Sequence, residues 1–278
     1  VRGVSFELEP GRRTGLVGES GSGKTLTALA IMGLLPDGIH ATGSVLYGGR
    51  ELLAMSEEEL CRLRGDRLAM IFQEPMTALN PVLRIGDQVA EPLLVHRRAA
   101  NAADAAARAT ELLRRVGIPD PEEKRRAYPH QLSGGQRQRA MIAAAMACSP
   151  DLLLADEPTT ALDVTVQAQV LKLLNRLVDE EGATLLLITH DLAVVAQVCE
   201  RVLVMYGGQI VESGSAEQVF QDARHPYTVG LMDAIPRLEE RPQGRHLRAI
   251  PGSVPALGRF PEGCPFRNRC PRADLQCA

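Results

Sequence analysis

Gly18-Glu19-Ser20-Gly21-Ser22-Gly23-Lys24-Thr25 is the stretch that decides how this chain is read. Its glycines carry no Cβ, so several backbone N–H groups can close on the oxygen atoms of an anion. The preceding Thr14-Gly15-Leu16-Val17 reads as a buried strand, and residues 24–35 read as a helix ended by Pro36-Asp37-Gly38. A glycine-rich turn that runs into a helix N-terminus is a phosphate-binding arrangement, because the helix end presents N–H groups and a partial positive charge. In such a loop Lys24 reaches the β- and γ-phosphates and the Thr25 hydroxyl ligates Mg²⁺.

Working outward, Asp156-Glu157 follows the apolar run Leu152-Leu153-Leu154-Ala155, at the end of a strand where parallel α/β sheets place their ligand crevice. An acidic pair alone reads as a solvated loop. Beside a phosphate loop it reads as a Mg²⁺ ligand, Asp156, and a general base that polarises the attacking water, Glu157. Leu132-Ser133-Gly134-Gly135-Gln136 opens a helix running to about residue 147, with Ser133 as its cap. This second anion-binding terminus is one that the chain's own phosphate loop does not need, and it points to a second subunit. Gln73 ends the strand Ala69-Met70-Ile71-Phe72 and leads into a loop punctuated by Pro75 and Pro81; His190 follows the strand at 184–189. Taken alone, these two are a surface glutamine and a structural histidine.

In this order the five motifs resemble the nucleotide-binding subunit of an ABC transporter. The resemblance implies an α/β P-loop NTPase: a RecA-like core with an antiparallel β-subdomain, an inserted α-helical subdomain and a short cysteine-containing C-terminal extension. It implies ATP and Mg²⁺ as cofactors, with Gln73 touching Mg²⁺ or the attacking water. Ser133, Gly134, Gly135 and Gln136 become the signature that acts on ATP bound across a dimer interface. His190 becomes the switch on the γ-phosphate, and Asp163, in Ala161-Leu162-Asp163, communicates between the two sites. The aromatic residue that stacks on adenine in this family falls upstream of Val1, and the chain is expected to be truncated at both ends.

Length and composition agree with one large domain and an appendage. The chain has 278 residues, 45 % hydrophobic and 23 % charged, which matches ordinary globular usage and excludes a disordered chain. The apolar runs at 152–155 and 185–188 are strand-length, far short of the roughly 20 residues that span a bilayer, so membrane contact is expected through a partner. A net charge of −3 gives no general basic footprint for nucleic acid. The expected organisation is a nucleotide-binding domain over 1–235, its helical subdomain at about 82–147, and an extension over 236–278 where Pro, Arg, Gly and Cys take over. Further expectations are a strand at 4–8, one helical stretch over 85–116 and a hairpin around Gly207-Gly208.

The cysteines form two groups. Cys61, Cys148 and Cys199 lie in helical, apolar surroundings and read as buried thiols. Cys264, Cys270 and Cys277 crowd together, a spacing that favours a metal or iron–sulfur site over a disulfide inside a cell, yet three ligands are one short of four. Tyr128-Pro129-His130, residues 156–169, His225-Pro226-Tyr227, Ile250-Pro251-Gly252 and this tail together resemble the oligopeptide and dipeptide importer ATPases, in the D-type form. That narrower resemblance implies a [4Fe-4S] cluster in a longer chain with a fourth cysteine, and peptide import from the cytoplasmic face of the membrane. Its partners would be a second ATPase subunit, F-type or an identical copy, two permease subunits and a solute-binding protein, with no nucleic acid. Import of nickel or another small solute, and a soluble ABC ATPase acting on nucleic acid or ribosomes, are the competing functions.

Overall fold

The computed structural model describes residues 1–160, 162–235, 249–256 and 258–278, without the side chains of Pro75 and Met76. Ala161 and the expected boundary at 235/236, where residues 236–248 begin, lie outside or at the edge of that description. In chain order the elements are β1 (Arg13–Val17), α1 (Lys24–Met32), β2 (Leu46–Tyr47), β3 (Arg50–Glu51), α2 (Glu57–Leu63), β4 (Leu68–Ile71) and α3 (Pro75–Ala78). There follow α4 (Ile85–Val95), α5 (Ala102–Arg115), α6 (Pro121–Lys124), α7 (Gly134–Ala145), β5 (Leu152–Asp156), α8 (Val164–Glu181) and β6 (Thr184–Thr189). The last are α9 (Leu192–Val198), β7 (Arg201–Tyr206), β8 (Gln209–Ser215), α10 (Ala216–Gln221) and α11 (Pro226–Asp233). Strand order in the main sheet is β4-β5-β6-β1-β7-β8.

The chain divides into two compact units, one of Val1–Glu7, Arg13–Thr27 and Leu187–Ala278, the other of Leu8–Arg12 and Ala28–Leu186. In the first, β1 runs parallel to β7 from Thr14 opposite Arg201 to Val17 opposite Val204. β7 turns antiparallel into β8 through Gly207-Gly208, whose φ angles of 56° and 81° suit a tight hairpin that other residues would strain. Leu16, Val17, Val202, Leu203 and Val204 are all buried, as strands covered on both faces require. Helix α9 lies so close to β1 that a Cβ on Gly15 would stand 2.4 Å from Val195 Cγ1.

In the second unit β4 runs parallel to β5, Leu68 opposite Leu152 through Ile71 opposite Ala155, and the long crossover between them carries α3 to α7. Helices α4, α5 and α7 pack on one another through Ile85, Val89, Leu93, Ala105, Ala109, Leu113, Ala140 and Ile142. The small alanines let helix axes approach while the leucines and isoleucines fill the seam. Helix α8 ends at Gly182, left-handed at φ 64°, and its Val170, Leu174 and Leu177 are buried.

Three expectations change. Residues 4–8 alternate in exposure as the pattern asked, but no strand forms there, because among the described residues no partner ladder meets them; Arg2 N–H donates to Gly208 O instead. The stretch 85–116 is two helices. Asn101 caps α5 by accepting from the N–H groups of Ala103 and Asp104, and Arg97 turns left-handed at φ 54°. Arg98 pins the break to Asp66 through two hydrogen bonds of 2.6 and 2.9 Å. Antiparallel pairing among the described residues joins β2 to β3 and β7 to β8. Cys61 is exposed on the outer face of α2, between Glu57 and Arg64, while Cys148 and Cys199 are buried as expected.

Two tests follow from the packing. Gly15→Ala should cost about 1–3 kcal/mol in denaturant unfolding through overpacking, and Val195→Ala in the same chain should recover part of it; equal stability of wild type and Gly15→Ala would refute the close approach. Burial pushes the thiol of Cys148 up to about 11 and that of Cys199 up to about 12. Alkylation at pH 8, followed by peptide mass spectrometry, should therefore modify Cys61 at least about tenfold faster than either, and equal rates would contradict the burial.

Candidate functional site

The first unit holds the phosphate loop. Gly18 follows the last residue of β1, and a Cβ there would lie 2.1 Å from the backbone oxygen of Met205 at the end of β7, so no larger residue fits. Gly23 has φ 104°, a backbone geometry reserved for glycine. Ser22 N–H donates to Glu19 O at 3.2 Å, and Thr27 sends both its N–H and its hydroxyl to Gly23 O at 2.9 Å, which joins the loop to α1. Lys24 is buried, and its Nζ donates to Gly18 O at 2.8 Å and Glu19 O at 3.1 Å. Ser22 Oγ is buried with no hydrogen-bond partner in the structure. A buried hydroxyl aimed into an anion loop with nothing to bond is what a phosphate oxygen would satisfy. Thr25 is exposed at the first turn of α1, and His190 is exposed just after β6, where Asp191 caps α9.

Glu19 is tied down at every polar atom. Its N–H donates to Tyr227 Oη at 2.8 Å, its C=O accepts from Ser22 and Lys24, and its carboxylate accepts from Arg269 through Nη1 at 2.7 Å and Nη2 at 3.1 Å. The Tyr227 hydroxyl is pushed well above the usual phenol range, chiefly by burial. The sequence reading named Tyr227 only as a family marker and missed Arg269 altogether.

In the second unit Asp156 ends β5 and is buried, and Glu157 steps out of the strand in the left-handed region at φ 45°. Glu157 Oε2 accepts from Thr160 Oγ1 at 2.8 Å and from Gln73 Nε2 at 3.3 Å. Gln73 and Glu157, 84 residues apart, thus meet because β4 and β5 are neighbours in register. Thr160 was not singled out from sequence for this contact; its place three residues after Glu157, in a turn closed by Thr160 N–H to Glu157 O, is the signal that could have found it. Ser133 caps α7: its hydroxyl accepts from Gln136 N–H, and its own N–H donates to Gln136 Oε1 at 3.0 Å. Gly134 and Gly135 form the first turn, and a Cβ on Gly135 would meet Val166 Cγ1 at 2.9 Å. Asp163 caps α8 by accepting from Val166 N–H at 3.0 Å.

Of the tail cysteines, Cys264 and Cys277 are joined through the backbone, and the sulfurs of Cys270 and Cys277 contact other residues. Cys264 N–H donates to Cys277 O at 3.1 Å, Cys270 Sγ accepts from Arg272 N–H, and Cys277 Sγ lies 3.4 Å from Asp274 Oδ1. Among the described residues no group of three or more His, Cys, Asp or Glu side chains could hold a metal ion, so these thiols as they stand do not fit a cluster.

Comparison with known proteins places these features. The family model described as ABC transporter matches residues 1–160, which include the phosphate loop, Gln73, the Ser133 helix and Asp156-Glu157. The model for the oligopeptide/dipeptide transporter C-terminal region matches residues 211–277. The oligopeptide transport ATP-binding protein OppD of Mycobacterium tuberculosis is 50 % identical over 277 residues, and this chain spans 45 % of its length. OppD of Escherichia coli is 49 % identical over 278 residues, with 100 % of this chain and 82 % of that protein covered. A putative peptide import ATP-binding protein of Brucella melitensis is 51 % identical over 288 residues and covered to 85 %. Among solved structures, a dimeric post-hydrolysis state of the ATP-binding cassette MJ0796 with ADP and Pi superposes with TM-score 0.68 at 30 % identity, over 77 % of this chain and 89 % of that one. Matched over residues 1–160 by the one model and 49 % identical to a relative that it covers to 82 %, the chain belongs to the ABC transporter family and carries the C-terminal region of its oligopeptide/dipeptide members.

Proposed function

We propose that this chain hydrolyses ATP to drive peptide import through separate membrane permeases, working as one half of an ATPase dimer at the cytoplasmic face. The observation that carries the reading is the phosphate loop itself: Gly18 and Gly23 where no side chain is tolerated, Lys24 drawn onto the loop, and Ser22 Oγ buried without a partner. The C-terminal match and the names of the relatives support peptides as the cargo. The narrower partners are an F-type ATPase subunit or a second copy, two permeases and a solute-binding protein.

In this reading the N–H groups of Gly21, Gly23, Lys24 and Thr25 and the Lys24 ammonium bind the β- and γ-phosphates, while Ser22 N–H stays on Glu19 O. Thr25, Asp156 and Gln73 would hold Mg²⁺, which when bound neutralises charge on the phosphate oxygens. Glu157, its carboxylate oriented by Thr160 and Gln73, takes the proton of the attacking water. His190 contacts the γ-phosphate, and Asp163 communicates between the two sites of the dimer. Ser133 accepts one hydrogen bond from Gln136 and keeps its own hydroxyl proton to donate, so with the first-turn N–H groups of α7 it presents donors to the nucleotide of the partner subunit. An iron–sulfur cluster would need a fourth ligand beside Cys264, Cys270 and Cys277.

Glu157→Gln keeps the shape and removes the base, so ATP binding should persist while turnover in the assembled transporter falls about 10²- to 10⁴-fold. Near wild-type turnover would remove Glu157 from the base role. Ser133→Arg should leave ATP binding by its own chain intact and abolish stimulation by the partner ATPase; a dilute monomer hydrolysing efficiently, independent of concentration, would contradict the dimeric site. Uptake of labelled peptide into vesicles holding the whole complex tests the cargo.

A further inference from the structure

The C-terminal extension reaches the phosphate loop through one side chain. Arg269 is 8 % exposed and sits 250 residues from Glu19 in sequence. Four hydrogen bonds spend most of its five donors: two to the Glu19 carboxylate, one from Nε to Pro251 O at 2.9 Å, and one from Nη1 to Tyr206 Oη at 3.3 Å. Its guanidinium lies 5.7 Å from the Tyr206 ring centre and 5.8 Å from that of Phe266, within range of both aromatic faces. Tyr227, Phe266 and Phe260 pack in turn on Tyr206 at ring-centre distances of 4.6, 5.1 and 6.2 Å. Arg269 is therefore fixed before it meets Glu19, and the loop is what it fixes in turn.

Glu19 presents a problem that this contact answers. A carboxylate in the second position of an anion-binding loop repels the triphosphate that the loop is built to receive. Paired with a buried guanidinium it is neutralised and turned away, and its backbone carbonyl is left holding Ser22 N–H and Lys24 Nζ. We infer that Arg269 is a positioning residue for nucleotide binding: by holding Glu19 it sets the shape and charge of the phosphate loop, so that the affinity of the loop for ATP depends on the C-terminal extension. The inference rests on the nucleotide reading above. Tyr227, whose hydroxyl takes the Glu19 N–H, is the second point of the same clamp.

Mg·ATP affinity measured by calorimetry on the full-length protein, with steady-state ATPase kinetics on the assembled complex, tests it. Arg269→Met keeps length and apolar stem but leaves the Glu19 carboxylate unpaired, and should weaken ATP binding about tenfold, raising KM far more than it lowers kcat. Arg269→Lys, one charge without the fork, should fall between it and wild type. The deciding variant adds Glu19→Gln to Arg269→Met: removing the stranded charge should restore affinity to within about threefold of wild type. Loss of packing alone predicts that the double variant is as weak as the single, and that result would overturn the inference, as would wild-type affinity in Arg269→Met. Should Arg269→Met fail to fold, Tyr227→Phe serves: it should weaken ATP binding about two- to threefold by freeing the Glu19 N–H, and an unchanged affinity there counts against the clamp. Absence of ATP binding by the wild-type protein would instead bring down the nucleotide reading, and this inference with it.

Discussion

A glycine-rich loop has little shape of its own, so its shape has to be held by what packs against it. In this chain the holding is done by three sets of contacts. Gly18 is pressed against the Met205 carbonyl at the end of β7. Ser22 and Thr27 close the turn through the carbonyls of Glu19 and Gly23. Glu19 is anchored by Tyr227 and Arg269. The parallel pairing of β1 with β7 is thus more than sheet formation, because it sets the surface against which the loop is moulded.

The same logic governs the second unit. Glu157 adopts a left-handed backbone that costs an ordinary residue roughly 1–2 kcal/mol. The strain turns the chain sharply at the end of β5 and leaves the carboxylate beside Thr160 and Gln73, whose hydrogen bonds offset it. Sheet register supplies Gln73: β4 and β5 advance side by side from Leu68 and Leu152, so Phe72-Gln73 and Asp156-Glu157 leave the sheet together. A braced carboxylate has lost the freedom to swing, which is what the general-base role proposed for Glu157 would ask of it.

What could be read from sequence was whatever is local. The phosphate loop, the cap at Ser133 and the strand 184–189 depend on residues within a few positions of one another, and they stand where the spacing put them. The misses share a cause in non-local structure or in composition that hides it. Residues 4–8 alternate correctly but a strand exists only where a partner offers a ladder. The alanines of 99–109 disguised a break that Asn101 and Arg98 enforce, the second through Asp66 far upstream. Cys61 looked buried in a helix whose outward face it occupies, since α2 is too short for its period to declare a side. The Arg269–Glu19 pair left no trace at all, for one arginine among Arg267, Arg269 and Arg272 carries no spacing that points across 250 residues.

That pair changes how the two family matches relate to each other. The model for ABC transporters in general ends at residue 160 and contains Glu19; the model for the oligopeptide/dipeptide C-terminal region spans 211–277 and contains Tyr227 and Arg269. The segment peculiar to one branch is therefore in hydrogen-bond contact with the loop common to all. An appended module that merely followed the cassette would need only an apolar seam, and the rings of Tyr206, Tyr227 and Phe266 would suffice for that. A buried guanidinium is a poor device for adhesion, because its desolvation cancels much of what the ion pair returns. Its use here is intelligible as a geometric one: a planar fork that accepts a carboxylate in a single orientation fixes the loop residue that also cradles Lys24.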